Sequence, residues 1–105
     1  MAEVIILFVT TPSEEIAEKL ARTLVEERAV ACAQLLPKIK SFYRWEGKVH
    51  ADPEVLLLMK TRAEKFAAVR DRIVELHPYD VPQVVASPLS QLHEPYLSWL
   101  LENTT

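Results

Sequence analysis

Two unbroken apolar runs, Val4-Ile5-Ile6-Leu7-Phe8-Val9 and Val55-Leu56-Leu57-Leu58-Met59, lie about fifty residues apart, and each precedes a helix-start signal and an amphipathic pattern. Continuous runs of this kind suit strands covered on both faces. After the first run, Thr11 reads as an N-cap, with Pro12 at the first helical position and Glu14 closing a capping box. Ile16, Ala17, Leu20, Ala21, Leu24 and Val25 then follow at helical spacing. After the second run, Thr61-Arg62-Ala63-Glu64 repeats the signal, and Phe66, Val69, Ile73 and Leu76 form the stripe. His77-Pro78 ends that helix, because a residue before proline is pushed out of helical geometry. Strand-like stretches at residues 30–36 and 81–87 complete each unit. The doubled strand–helix–strand pattern predicts one α+β domain over residues 1–105, a ferredoxin-like βαββαβ sandwich with its first and third strands central. Tyr96, Leu97, Leu100 and Leu101, starting near Pro95, predict a short C-terminal helix.

The chain has a single glycine, Gly47, placed between two strand-like runs, which marks a tight hairpin. The scarcity excludes glycine-rich phosphate-cradling loops, whose backbone needs several glycines to approach the phosphates. Strand material from position 30 to position 45 spans roughly 50 Å at ~3.3 Å per residue, whereas each helix is only about 22 Å long at ~1.5 Å per residue. The hairpin must therefore outrun its own core. Its far end carries Phe42, Tyr43 and Trp45, a poor surface for a monomer and a ready joint between copies of the chain. A homo-oligomer built on strand pairing is expected.

One cysteine closes no internal disulfide and supplies no cysteine-based zinc site. The net charge of −3 opposes nucleic-acid binding and attraction to anionic membranes. The first apolar run is too short to span a bilayer, and no basic region precedes it. These features predict a cytoplasmic protein with neither nucleic acid nor membrane as partner. No serine or cysteine stands in a recognisable motif with a base and an orienting acid, so no enzymatic reaction is expected.

Five stretches carry a resemblance to a known family: Val30-Ala31-Cys32-Ala33, Phe42-Tyr43-Arg44-Trp45-Glu46-Gly47-Lys48, Glu54-Val55-Leu56-Leu57-Leu58-Met59-Lys60-Thr61, His77-Pro78-Tyr79-Asp80-Val81-Pro82 and Tyr96-Leu97-Ser98-Trp99-Leu100. In this order they resemble the CutA family, the divalent-cation tolerance proteins. The resemblance implies a homotrimer assembled through extended strands, similar to the PII signalling trimers. It also implies binding of copper or other divalent metal ions, with no defined reaction. Some members carry a histidine pair before Pro-Tyr and a cysteine in the first strand as proposed copper ligands. Here those positions are Leu76, His77 and Val9, so His77 alone carries over as a metal ligand. The usual Pro-Gly of the second strand is Pro37-Lys38.

Other readings compete at each position. A histidine closing a helix also complements the helix dipole, and His50 with Asp52 and His93 with Glu94 read as solvated loop residues or, in a trimer, as further metal donors. Cys32 reads as a small strand hydrophobe or as a soft contact to a metal or ligand. Lys60 reads as a snorkelling strand-end lysine or as an anion-binding group. Tyr79 and Asp80 lie in a loop stiffened by Pro78 and Pro82. Together Cys32, Lys60, Tyr79 and Asp80 make a possible intersubunit cleft, and a small anion bound there is the alternative function, a PII-like ligand-sensing trimer.

Overall fold

Both apolar runs form the two central strands of one four-stranded antiparallel sheet in a computed structural model that describes residues 3–105. The elements in chain order are β1 (Val4–Thr11), α1 (Glu14–Glu26), β2 (Cys32–Trp45), β3 (Lys48–Arg62), a 3-10 turn (Ala63–Lys65), α2 (Phe66–Leu76), β4 (Val84–Leu89) and α3 (Glu94–Glu102). The sheet order β2-β3-β1-β4 is the ferredoxin-like arrangement. Alternation along β1 and β3 sends Leu7, Val9, Leu57 and Met59 to one face. There they bury against Ala17, Leu20 and Leu24 of α1 and Val69 and Ile73 of α2. α3 packs at one end of the sheet, where Leu100 meets Val4 and Ala31. Arg62 fastens its C-terminal turn by donating to the Leu101 carbonyl at 2.7 Å and to Thr104 Oγ1 at 3.1 Å.

The two predicted threonine caps are strand residues instead. Thr11 is fully buried opposite Val55, and preceding a proline it stays extended, so β1 runs on through it. The cap of α1 is Ser13, whose Oγ accepts the Ile16 N–H at 3.2 Å. Thr61 likewise pairs with Ile5 in β3 and donates its hydroxyl to the Ala29 carbonyl at 2.7 Å, fixing the entry into β2. The helix that it was expected to start begins only at Phe66.

Only residues 55–62 of β3 pair with β1, so residues 39–54 leave the sheet as a two-stranded ribbon. The molecule is accordingly elongated, 44 × 25 × 23 Å. Glu46 (φ 50°) and Gly47 (φ 78°) close the tip in the doubly left-handed turn that matches strand twist. A bulge separates ribbon from sheet: Pro37 and Lys38 of β2 stand where β3 has only Val55, with Lys38 at φ 63°. Phe42, Trp45 and Val49 of the ribbon are exposed.

Candidate functional site

At the ribbon base, residues 77–83 between α2 and β4 face the ribbon across a cleft of about 620 Å³. Its wall includes Thr10, Tyr43, Trp45, Glu54, Tyr79 and Asp80. His77 is only 7% exposed and anchors this loop. The Tyr79 N–H donates to His77 Nδ1 at 3.1 Å, which leaves Nε2 as the protonated nitrogen, donating to the Thr10 carbonyl at 2.7 Å. Both ring nitrogens are thus engaged within the chain, and a metal at Nδ1 has to displace the Tyr79 amide.

The anchored loop delivers the Tyr79 hydroxyl to Glu54 Oε2 at 2.8 Å. Glu54 is also only 7% exposed, held at the first ribbon position beyond the bulge, opposite Ile39. Two residues outward, Asp52 accepts the Tyr43 hydroxyl at 2.5 Å, and Tyr43 stacks on His50 with ring centres 5.3 Å apart. His50, Asp52 and Glu54 share one ribbon face by strand alternation, so His50 is a strand residue under an aromatic ring rather than a loop histidine.

A second cluster lies at the other end of β3. Lys60 donates to Gln34 Oε1 at 3.0 Å and stands 3.9 Å from Cys32 Sγ, and that sulfur lies 3.5 Å from the Tyr96 hydroxyl. The Lys60 ammonium also sits 5.8 Å from the centre of the Tyr96 ring. The chain therefore brings Cys32 and Lys60 together but keeps Tyr79 and Asp80 at the ribbon base. Six residues of β3 separate Lys60 from Glu54, about 20 Å at ~3.3 Å per residue. Gln34, Tyr96, Tyr43 and Glu54 were not among the site residues read from the sequence, where Tyr43 and Tyr96 stood only as packing aromatics and Glu54 only in a family stretch. Only the i, i+2, i+4 spacing of His50, Asp52 and Glu54 offered a signal, and it needs the ribbon to be recognised as a continuous strand.

All three tyrosines hold their protons more tightly than a free phenol. The hydrogen bond to Asp52 raises Tyr43, and burial followed by the Glu54 hydrogen bond raises Tyr79 well above its ordinary range. Burial and then Cys32 push Tyr96 up from 10.0 to about 12. A proton held more tightly in the folded chain stabilises that chain fully below pH 10.0, and the contribution is lost as the pH climbs toward about 12. An alkaline titration followed by phenolate absorbance shows no step at pH 10.0 while the protein stays folded, and a full step there contradicts the three contacts.

The family whose model describes the CutA1 divalent ion tolerance protein matches residues 5–103. The chain belongs to the CutA1 family. It is 47% identical over 99 residues to the divalent-cation tolerance protein CutA of Thermus thermophilus, covering 94% of this chain and 96% of that one. It is 43% identical over 97 residues to human protein CutA, covering 92% of this chain and 54% of the human one, so it spans about half the human length. The solved Thermus thermophilus structure superposes with a TM-score of 0.92 over 100% of both chains. That of Archaeoglobus fulgidus CutA, described as a periplasmic divalent cation tolerance protein, superposes with a TM-score of 0.94 at 39% identity, over 97% of this chain and 99% of that one. CutA1 proteins are thus defined by tolerance of divalent ions rather than by a reaction. Among the described residues of this member, no helix is long and apolar enough to cross a membrane.

Proposed function

We propose that the chain serves divalent-cation tolerance as a cytoplasmic homotrimer that binds a divalent transition metal, copper foremost, and catalyses no reaction. The observation that carries the assembly is the ribbon, a two-stranded extension with exposed Phe42, Trp45 and Val49 and no further strand paired to it among the described residues. An isolated two-stranded ribbon is marginal in water, and pairing its edges with neighbouring copies gives it the missing strands. Membership of a divalent ion tolerance family supports the metal. Among the described residues no three His, Cys, Asp or Glu side chains converge to hold an ion. The ligand set of this reading therefore draws on more than one subunit, with His77 supplying Nδ1 once the Tyr79 amide gives way. A second reading, a ligand-sensing trimer that takes a small anion, is favoured by Lys60. Its ammonium touches Cys32 and Gln34 and has no carboxylate partner among the described residues.

Light scattering at micromolar concentration checks the assembly: three times the 12.0 kDa chain mass is expected, and a monomer refutes the ribbon argument. Copper titration calorimetry on wild type and His77→Ala, at a temperature where both are folded, gives weaker binding in the variant. Equal affinity removes His77 from the site. Thermal-shift measurements with divalent metals and with anionic metabolites separate the two readings, since a response to anions alone favours the second.

A further inference from the structure

Glu54 is a nine-tenths buried carboxylate without a cation. No lysine or arginine pairs with it among the described residues, and its one hydrogen bond there comes from Tyr79. Buried charges in folded proteins are paired or bound to a metal, because leaving one unpaired costs several kcal/mol. Tyr79 occupies Oε2 alone. The other oxygen has no partner, yet no buried polar atom of the described chain is sealed off without one, so that oxygen opens onto the cleft.

The surroundings specify the missing cation. The cleft wall carries three aromatic side chains on the Glu54 side of the ribbon and its facing loop, Tyr43, Trp45 and Tyr79, one further carboxylate, Asp80, and, among the described residues, no lysine, arginine or histidine. Aromatic faces attract cations through their quadrupole, most strongly when the cation is weakly hydrated. The volume of about 620 Å³ is that of a small-molecule site and far exceeds a bare ion. Two carboxylates, moreover, fall short of the donor set that a small inorganic cation requires.

We propose that the cleft between the ribbon and residues 77–83 binds a small organic ammonium ion, with Glu54 as counter-ion and Tyr43, Trp45 and Tyr79 as the aromatic wall. The site uses none of the metal reading's ligands, although it shares with that reading the bond from the Tyr79 amide to His77, and it differs from the Lys60 cluster in both position and sign of charge. Tyr79 acts as its brace: the hydroxyl fixes one carboxylate oxygen, and the backbone amide ties the same residue to His77.

The test uses choline as the probe, beside its uncharged isostere in which a tert-butyl group replaces the trimethylammonium, with the full chain in its native assembly. Binding is followed by the Trp45 indole resonance, assigned against a Trp45→Phe variant. Choline gives a saturable shift and the isostere binds far more weakly. Glu54→Gln, which still accepts the Tyr79 hydrogen bond and so keeps the fold, weakens choline by about tenfold or more, the worth of a charged contact. Asp80→Asn, at an exposed position, weakens it less. Equal binding of choline and the isostere, or an unchanged affinity in Glu54→Gln, overturns the proposal. So does the absence of choline binding together with loss of assembly in Glu54→Gln, which assigns the cation to a side chain of a second copy. Copper binding, measured on the same variants, remains intact if the two sites are separate.

Discussion

Leu57→Ala lowers the stability of the chain by about 3–5 kcal/mol, the upper part of the range for truncating a buried leucine. Leu57 is fully buried in the middle of the sheet, opposite Val9 on β1 and Leu35 on β2. Both helices press on the cluster to which it belongs. No neighbour can shift far enough to fill the space, because strands on either side hold the backbone by their ladders. At ~4–8 °C per kcal/mol for a domain of this size, the melting temperature falls on the order of 12–40 °C. Chemical denaturation gives the same loss with an unchanged denaturant slope. A loss below about 1 kcal/mol would mean that the core closes over the gap, contrary to dense packing between sheet and helices.

His77→Ala comes next in size, for a different reason. It removes little volume but leaves the Thr10 carbonyl and the Tyr79 amide without their partners. Unmet buried groups of this kind cost about 1–3 kcal/mol each, so about 2–4 kcal/mol is expected after some relief by water. The effect is local as well as global, since residues 77–83 lose their anchor and Tyr79 loses its aim at Glu54. Hydrogen exchange at the Tyr79 amide accelerates by more than the loss of global stability explains, and His77→Gln, which can remake one of the two bonds, recovers part of the loss. A variant as stable as wild type, with an equally protected amide, would show that the imidazole does not anchor the loop.

The sheet, its strand order, the two covering helices, the hairpin turn and the C-terminal helix were legible in the sequence. Apolar periodicity reports burial directly, and this fold buries its two central strands most. The cap residues were not. Thr11 and Thr61 carry side chains equally suited to capping a helix or satisfying a carbonyl from within a strand, and pairing with Val55 and Ile5 decided between those uses. Glycine count located the hairpin turn but does not report the other left-handed positions. Arg28, Lys38 and Glu46 all adopt positive φ without being glycine, at the end of α1, the bulge and the hairpin turn. A left-handed residue costs of order 1 kcal/mol without glycine, and surrounding hydrogen bonds outweigh that. Of the site, His77, Tyr79, Asp80, Cys32 and Lys60 were visible as unusual residues, but their division between two clusters was not. Position along a strand sets that division, and the partners Glu54, Gln34 and Tyr96 lie far away in sequence.

The bulge has a consequence in parity. Before it, even-numbered residues of β2 oppose even-numbered residues of β3, as in Gln34 with Leu58; beyond it, odd oppose even, as in Tyr43 with His50. The extra residue at Pro37-Lys38 therefore exchanges the two sides of the outer half of β2. As built, Tyr43 shares a side with Asp52 and Glu54, while Lys40 and Arg44 point the other way. A chain one residue shorter there would turn Lys40 and Arg44 toward those carboxylates and neutralise them from within. A single residue of backbone length thus decides whether the ribbon carries its negative charges open to a visitor or cancelled at home.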